Sequence, residues 1–333
     1  MTGRPRTIAF APGERNIFLH LLTACNLACH HCYINREQHG TATLPIEQAE
    51  RWLALLLAPD KANNLVLLGG EPTLHPDLAR AVRTARRLGY ASVTIDTNGY
   101  LFHNLLDRLA PDEAVLSFSL DGPDEKVNDP LRGEGVFAVC TANIRQAVAL
   151  GFTVSVIYTV SRRNIGHLHR MAPLLVDLGV SRFFIQVIGL RGNASTGGDA
   201  LQLTPEEWLA VVPAEAARAA AQGLEVIYPK VFLDADEPFQ CAGKVAENYF
   251  VFPNGRVYQC PLCEDYPVHS FSIKGDRLVE NPGLTEKRFF SLTIPEGCVM
   301  HKLLQADNIP YDAHGQPERR ISCCLLKNRI LPG

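Results

Sequence analysis

Three cysteines stand close together in 25-CNLACHHC-32, with the spacing Cys25-x3-Cys29-x2-Cys32. In a reducing compartment such a group reads as a metal site before it reads as a disulfide. A structural zinc ion closes its shell with four protein ligands. An iron–sulfur cube also needs a ligand on each of its four irons, and thiolates are the usual protein ligands. Three cysteines on one loop therefore leave one metal position open to a substrate or cofactor. The remaining cysteines stand at 140, 241, 260, 263, 298, 323 and 324. Cys140 sits inside the helical pattern of residues 134–151 with no second ligand nearby, and reads as an ordinary buried thiol.

The elements that position the loop follow from periodicity. Short β-rich runs at 17–22, 64–68, 92–96, 114–120, 153–160 and 182–188 alternate with helical patterns, among them 45–58, 76–89 and 164–179. Such strand–helix repeats predict an α/β fold with a parallel sheet and outer helices, curved into a partial (β/α)6 TIM-type barrel. Chemistry in these folds gathers at the carboxyl ends of the strands, where residues 25–32 follow the first one. The 333 residues are 47% hydrophobic and 20% charged, enough for a large core and a second, smaller unit. A net charge of −3 with scattered Lys and Arg gives no reason to expect nucleic acid as a partner. No signal-peptide apolar region and no run of about 18 apolar residues is present, so a cytoplasmic protein without a membrane partner is expected.

The cysteine loop after the first strand resembles that of the radical S-adenosylmethionine (SAM) enzymes. A second segment, 69-GGEPTLHP-76 at the end of strand two, resembles the family's GGE motif. The resemblance implies a [4Fe–4S] cluster on Cys25, Cys29 and Cys32, its open iron chelated by the amino and carboxylate groups of SAM. It implies that Gly69, Gly70, Glu71 and Pro72 hold the SAM ammonium, a pairing suited to a carboxylate and to close backbone approach. It assigns Thr97 in 96-DTNG-99, and Ser119 and Asp121 in 117-SFSLDG-122, to SAM, the latter two near its ribose or carboxylate. Arg132 would pair with the SAM carboxylate, Asn164 would reach the ribose, and the backbone at Ile188 and Gly189 would meet adenine. The family often places an aromatic before the third cysteine. Here that residue is His31, followed by Tyr33, and either ring can stack on adenine.

The tail from residue 225 carries Cys241, Cys260, Cys263, Cys298, Cys323 and Cys324. Residues 249–260, alternating around Asn254-Gly255, predict a β-hairpin. Cys241-x13-Gly255-x4-Cys260 resembles the start of the SPASM or shorter twitch extensions, which hold auxiliary [4Fe–4S] clusters. The tight run of four further cysteines of a full SPASM domain is missing, so one auxiliary cluster is expected rather than two. Cys241 and Cys260 are its first ligands, and Cys263, Cys298 and Cys323 or Cys324 compete for the others. Zinc on four thiolates remains the alternative. The expected organisation is an N-terminal segment 1–14, a radical SAM core 15–200, a linking helix 201–224 N-capped by Thr204, and a cysteine-rich β-hairpin extension 225–333.

The expected activity is reductive cleavage of SAM to a 5′-deoxyadenosyl radical, which takes hydrogen from a peptide or natural-product substrate in an oxidation, crosslink or epimerisation. A flavodoxin or ferredoxin would supply the electron. Only about 16 residues precede the first strand, which leaves no room for an N-terminal peptide-recognition domain and weighs against a peptide. A radical SAM dehydrogenase or transferase acting on a small molecule or in cofactor biosynthesis is the alternative. A non-catalytic iron–sulfur carrier or zinc-stabilised binding module is the rival of another class. The GGEP strand end speaks against it, since a carrier needs no ammonium site.

Overall fold

A computed structural model describes residues 10–196, 201–234, 236–304 and 309–332. The first nine residues of the expected N-terminal segment lie outside the described residues. Seven strands alternate with helices along the first part of the chain: β1 Glu14–His20, β2 Ala62–Leu68, β3 Ser92–Thr97, β4 Val115–Ser119, β5 Val154–Val160, β6 Arg182–Val187 and β7 Glu225–Pro229. Each pairs parallel with the next in sequence. The helices between them include 46–56, 78–88, 136–149 and 205–221. This is the mixed α/β fold with a parallel central sheet that the repeats predict. In β5 the residues alternate fully buried and half-buried, so one face packs under helices while the other lines the concave side. Among the described residues no helix is long and apolar enough to cross a membrane.

One strand is added to the six expected. The run 225-EVIYP-229 follows helix 205–221 as a further strand–helix repeat and extends the sheet beyond β6. Helix 205–221 starts as expected at Thr204, whose side chain accepts from Glu207 N while the Glu207 carboxylate accepts from Thr204 N. The helix expected at 164–179 is divided into a 3₁₀ stretch Ile165–Arg170 and an α-helix Met171–Asp177. Pro173 has no N–H, so it fits the first turn of a helix starting at Met171 and not the interior of one starting at 164.

The tail contributes β8 Phe232–Leu233, β9 Glu247–Val251, β10 Arg256–Tyr258, β11 Phe271–Lys274, β12 Arg277–Glu280, β13 Arg320–Ile321 and β14 Lys327–Ile330. The expected hairpin is β9–β10, with Gly255 at φ 82° in its turn. It does not stand apart from the barrel. Strand β9 pairs parallel with β1, and β14 pairs antiparallel with β7, giving one twelve-stranded sheet in the order β12-β11-β10-β9-β1-β2-β3-β4-β5-β6-β7-β14. The tail therefore holds both edges of the parallel sheet.

A fully buried amide ladder fixes this register. Asn64 Nδ2 donates to Asn16 Oδ1 and Asn16 Nδ2 to Asn248 Oδ1, both at 2.9 Å, and Ser92 Oγ donates to Asn64 Oδ1 at 2.8 Å. The ladder crosses β3, β2, β1 and β9 at positions directly paired in the sheet. A slip of one residue would strand these amides in an apolar interior.

Candidate functional site

The loop after β1 is zipped to the end of β2 by backbone. Leu21 N donates to Leu68 O, Gly70 N to Leu22 O and Glu71 N to Ala24 O, at 2.9–3.0 Å. A Cβ on Gly70 would stand 2.1 Å from Ala24 O, and one on Gly69 2.3 Å from Leu22 O. Both glycines are thus required by the chain that leads into Cys25. The next segments close on the same loop: His30 N donates to Leu131 O, and Asn193 N to Cys32 O.

Cys25, Cys29 and Cys32 are all half-buried. The Cys25 Sγ accepts from Leu27 N at 3.4 Å and lies 3.7 Å from Asn98 Nδ2. Burial pushes the Cys25 thiol up to about 11, with Glu71 and the other two thiols adding to the effect. Thiolates gathered on one loop repel one another and gain by sharing a cationic centre. N–H donors already aimed at Cys25 sulfur are those a metal-bound thiolate accepts. Among the described residues no three His, Cys, Asp or Glu side chains meet around a single point. A cube takes one thiolate per iron, so its ligands surround a volume and the three-thiol loop fits it. Cys140 is fully buried in helix 136–149, against Gly99 and Phe118, as expected of a packing thiol.

Glu71 is fully buried and heavily bonded. Its Oε1 accepts from Thr73 N, Thr73 Oγ1 and Thr97 Oγ1 at 2.8–3.0 Å, and its Oε2 accepts from Asn98 N at 2.7 Å. The carboxylate ties the GGEP turn to the end of β3, and Oε2 alone keeps an acceptor position for a further donor. Thr97 serves Glu71 and accepts from Gly99 N, and Pro72 is the buried first residue of a 3₁₀ turn. Thr97 and Pro72 thus act here through the turn.

Asp121, also fully buried, gathers three of the expected site residues. Its Oδ2 lies 2.6 Å from Arg132 Nε and 3.1 Å from His31 Nε2, and its Oδ1 accepts from Thr159 N at 2.7 Å. The contact with Arg132 is a buried ion pair. Burial opposes the Asp121 charge, and Arg132 and His31 overcome it, holding the carboxyl down at about 2. Asn164 is buried beside it, donating to Asp121 O and Thr159 O and accepting from Ser161 N. Ser119 is half-buried at the end of β4.

The two candidate stacking rings lie differently. His31 faces Asp121. Tyr33 bonds His20, 3.1 Å from its Nε2, and lies under the Arg191 guanidinium, 4.8 Å from ring centroid to Cζ. Burial drives the His20 pKa down to about 3. The neutral ring directs Nδ1–H to Val251 O at 3.1 Å, so Tyr33 O–H donates to Nε2. Ile188 is buried with Ala194 and Leu201, and Gly189 lies beside Arg191 and Leu262.

The tail brings all six of its cysteines together. Cys241, Cys260, Cys298, Cys323 and Cys324 line one cavity with Phe289 and Phe290. All six are free thiols, with Cys263 beside Cys260 and Cys241 beside Cys323. Contact with Cys241, ahead of burial which opposes it, lowers the Cys323 thiol. Cys324, the alternative to Cys323 in the sequence, lies in the same wall. Glu286 caps this loop as Glu71 caps the first: it accepts from Gln259 N, Cys260 N and Ser270 Oγ at 2.6–2.9 Å, and burial lifts its carboxyl to about 7. Sequence reasoning missed Glu286, Asn98 and Arg191. None has a local signature, and each acquires its role from a partner remote in sequence.

Comparison with known proteins gives the site its context. Residues 19–175 match the model of the Radical SAM superfamily. The chain is 27% identical over 286 residues to mycofactocin maturase MftC of Mycobacterium ulcerans, covering 78% of this chain and 70% of that one. It is 29% identical over 268 residues to PqqA peptide cyclase of Gluconobacter oxydans, covering 77% and 72%. Its fold resembles that of Streptococcus suis SuiB bound to precursor peptide SuiA, with a TM-score of 0.61 at 16% identity over 80% of this chain. The chain spans 63% of the length of SuiB. The loop of three thiols and the GGEP turn to which it is locked both lie inside this matched segment, so residues 19–175 form a radical SAM domain, the kind of domain that uses SAM and a [4Fe–4S] cluster.

Proposed function

We propose that this enzyme modifies a peptide by hydrogen abstraction, aided by one auxiliary [4Fe–4S] cluster in its tail. When bound at Cys25, Cys29 and Cys32, the reduced cluster supplies the electron that cleaves SAM to methionine and a 5′-deoxyadenosyl radical. The chain's own residues hold and orient. Glu71 Oε2 and the Gly69–Gly70 backbone receive the ammonium. Arg132, kept in place by Asp121, receives the carboxylate. The core runs from 15 through the seventh strand, and the tail beyond it carries the auxiliary ligands, drawn from Cys241, Cys260, Cys263, Cys298, Cys323 and Cys324. A flavodoxin or ferredoxin in the cytoplasm supplies the electron.

The observation that carries this reading is the convergence of five thiols in one tail pocket, with Cys263 beside one of them, on a sheet continuous with the three-thiol loop. The names of MftC, PqqA peptide cyclase and peptide-bound SuiB support a peptide substrate. The test is incubation of anaerobically reconstituted protein with reductant, SAM and a library of short synthetic peptides. Release of 5′-deoxyadenosine with a mass change in one peptide is expected. 5′-Deoxyadenosine formed with every peptide unchanged would return the substrate to the small-molecule class.

A further inference from the structure

The segment after β6 touches both cysteine loops at once. On the core side, Asn193 N donates to Cys32 O at 2.8 Å and Asn193 Nδ2 to Cys29 O at 3.3 Å. Gly192, at φ 53°, lies so close that a Cβ would stand 2.7 Å from Cys32 O. The Arg191 guanidinium covers the ring of Tyr33, the residue after Cys32. On the tail side, Arg191 Nη1 donates to Pro261 O at 2.5 Å, between Cys260 and Cys263, and pairs with the buried carboxylate of Glu264, the residue after Cys263. Gly192 N donates to Asp265 Oδ2 at 3.3 Å. Arg191 and Glu264 side chains are 13% and 2% exposed, so the pair is shielded from water.

A guanidinium alone among side chains offers a flat face and a rigid fork together. Arg191 uses the face on Tyr33 and the fork on Pro261 and Glu264. Lysine keeps the charge but has no plane to lay on the ring. We infer that Arg191 is a positioning residue that sets the geometry between the core and tail cysteine loops, and whose charge acts on whatever is bound at both. This rests on the proposal that each loop binds a cluster. A buried cation near both sites favours the reduced, more negative state of each.

The test is carried out on full-length reconstituted protein as wild type, Arg191→Gln and Arg191→Lys. Iron per chain is measured, together with the midpoint potentials of the clusters by electron paramagnetic resonance titration. Both potentials are expected to fall in Arg191→Gln and to recover in large part in Arg191→Lys. A shift or an iron loss confined to one site overturns the inference, as does wild-type behaviour at both. If Arg191→Gln loses iron from both sites, Arg191→Lys decides: smaller shifts at both sites support the bridge, and anything else overturns it. Wild-type protein that binds only one cluster speaks against the proposed tail cluster and not against the bridge. Hydrogen exchange then decides the bridge. Amides of residues 29–33 and 260–265 should both exchange faster in Arg191→Gln, and acceleration in one segment alone, or in neither, overturns it.

Discussion

Asp121→Asn tests the buried charge centre of the site. Asparagine keeps the shape and the acceptor for Thr159 N, 2.7 Å away. It removes the charge that faces Arg132 at 2.6 Å and His31 at 3.1 Å. The Arg132 side chain is only 8% exposed, so its charge is left buried and unpaired. Breaking one side of such a pair costs about 3–5 kcal/mol. With an unfolding entropy of roughly 0.7 kcal/mol/K for a chain of this size, Tm should fall by about 4–7 °C. The pH dependence has a definite sign. The folded-state pKa of Asp121 is depressed to about 2 from its ordinary 3.8. Its contribution is therefore complete above pH 3.8 and lost as pH falls through 2, about 2 kcal/mol in all. Thermal unfolding of wild type and variant across that window measures both effects. The gap between the two proteins should narrow towards low pH. A Tm within about 1 °C of wild type at neutral pH, or a gap independent of pH, would show that Arg132 has another counter-charge. Arg132→Met in the Asp121→Asn background should recover part of the loss, since it removes the orphaned cation.

Four further outcomes follow. Cys29→Ala should abolish 5′-deoxyadenosine release from SAM, and wild-type release would refute the three-thiol assignment. Glu71→Gln places an amide NH2 against Thr73, Thr97 or Asn98 donors, so urea unfolding should show a loss of about 1–3 kcal/mol; a variant of wild-type stability with weakened SAM binding would mean the carboxylate serves only the ligand. Asn16→Leu leaves the buried Asn64 Nδ2 donor and Asn248 Oδ1 acceptor without their Asn16 partner and should cost about 2 kcal/mol in the same assay. The triple Ala variant of Cys25, Cys29 and Cys32 should retain about four irons, one cluster's worth, whereas a colourless protein with zinc would assign the tail to a structural metal.

The parallel repeat was legible in the sequence because each strand and helix carries its own period, and six of the seven repeats were read from it. The seventh, 225-EVIYP-229, was read as tail because the cysteines beyond it drew the boundary, although its alternation and preceding helix mark it as one more repeat. The thiol loop and the GGEP turn were legible as types and spacing, since short motifs keep their chemistry wherever the chain takes them. The division of labour within the site was not. Glu71 reads as a ligand group in the motif, yet most of its acceptor capacity goes to Thr73, Thr97 and Asn98. Asp121 reads as a contact for SAM, yet its charge is spent on Arg132 and His31. Such roles depend on which remote side chains reach a group first, and no local pattern encodes that.

The same reasoning explains why the tail appears in sequence as an appended unit and in space as part of the barrel. A cysteine-rich hairpin has little apolar surface to bury alone. Pairing β9 with β1 and β14 with β7 gives its backbone groups partners and covers both exposed edges of the parallel sheet. Asn248 then completes the buried amide ladder begun by Asn64 and Asn16, and His20 on β1 reaches Val251 on β9 while holding Tyr33. The tail's cysteine loops are thereby carried on strands of the same sheet as the strand that launches the three-thiol loop. Removing the tail would uncover β1 and β7 and strand Asn16 and His20 in one step, so the core's stability depends on it.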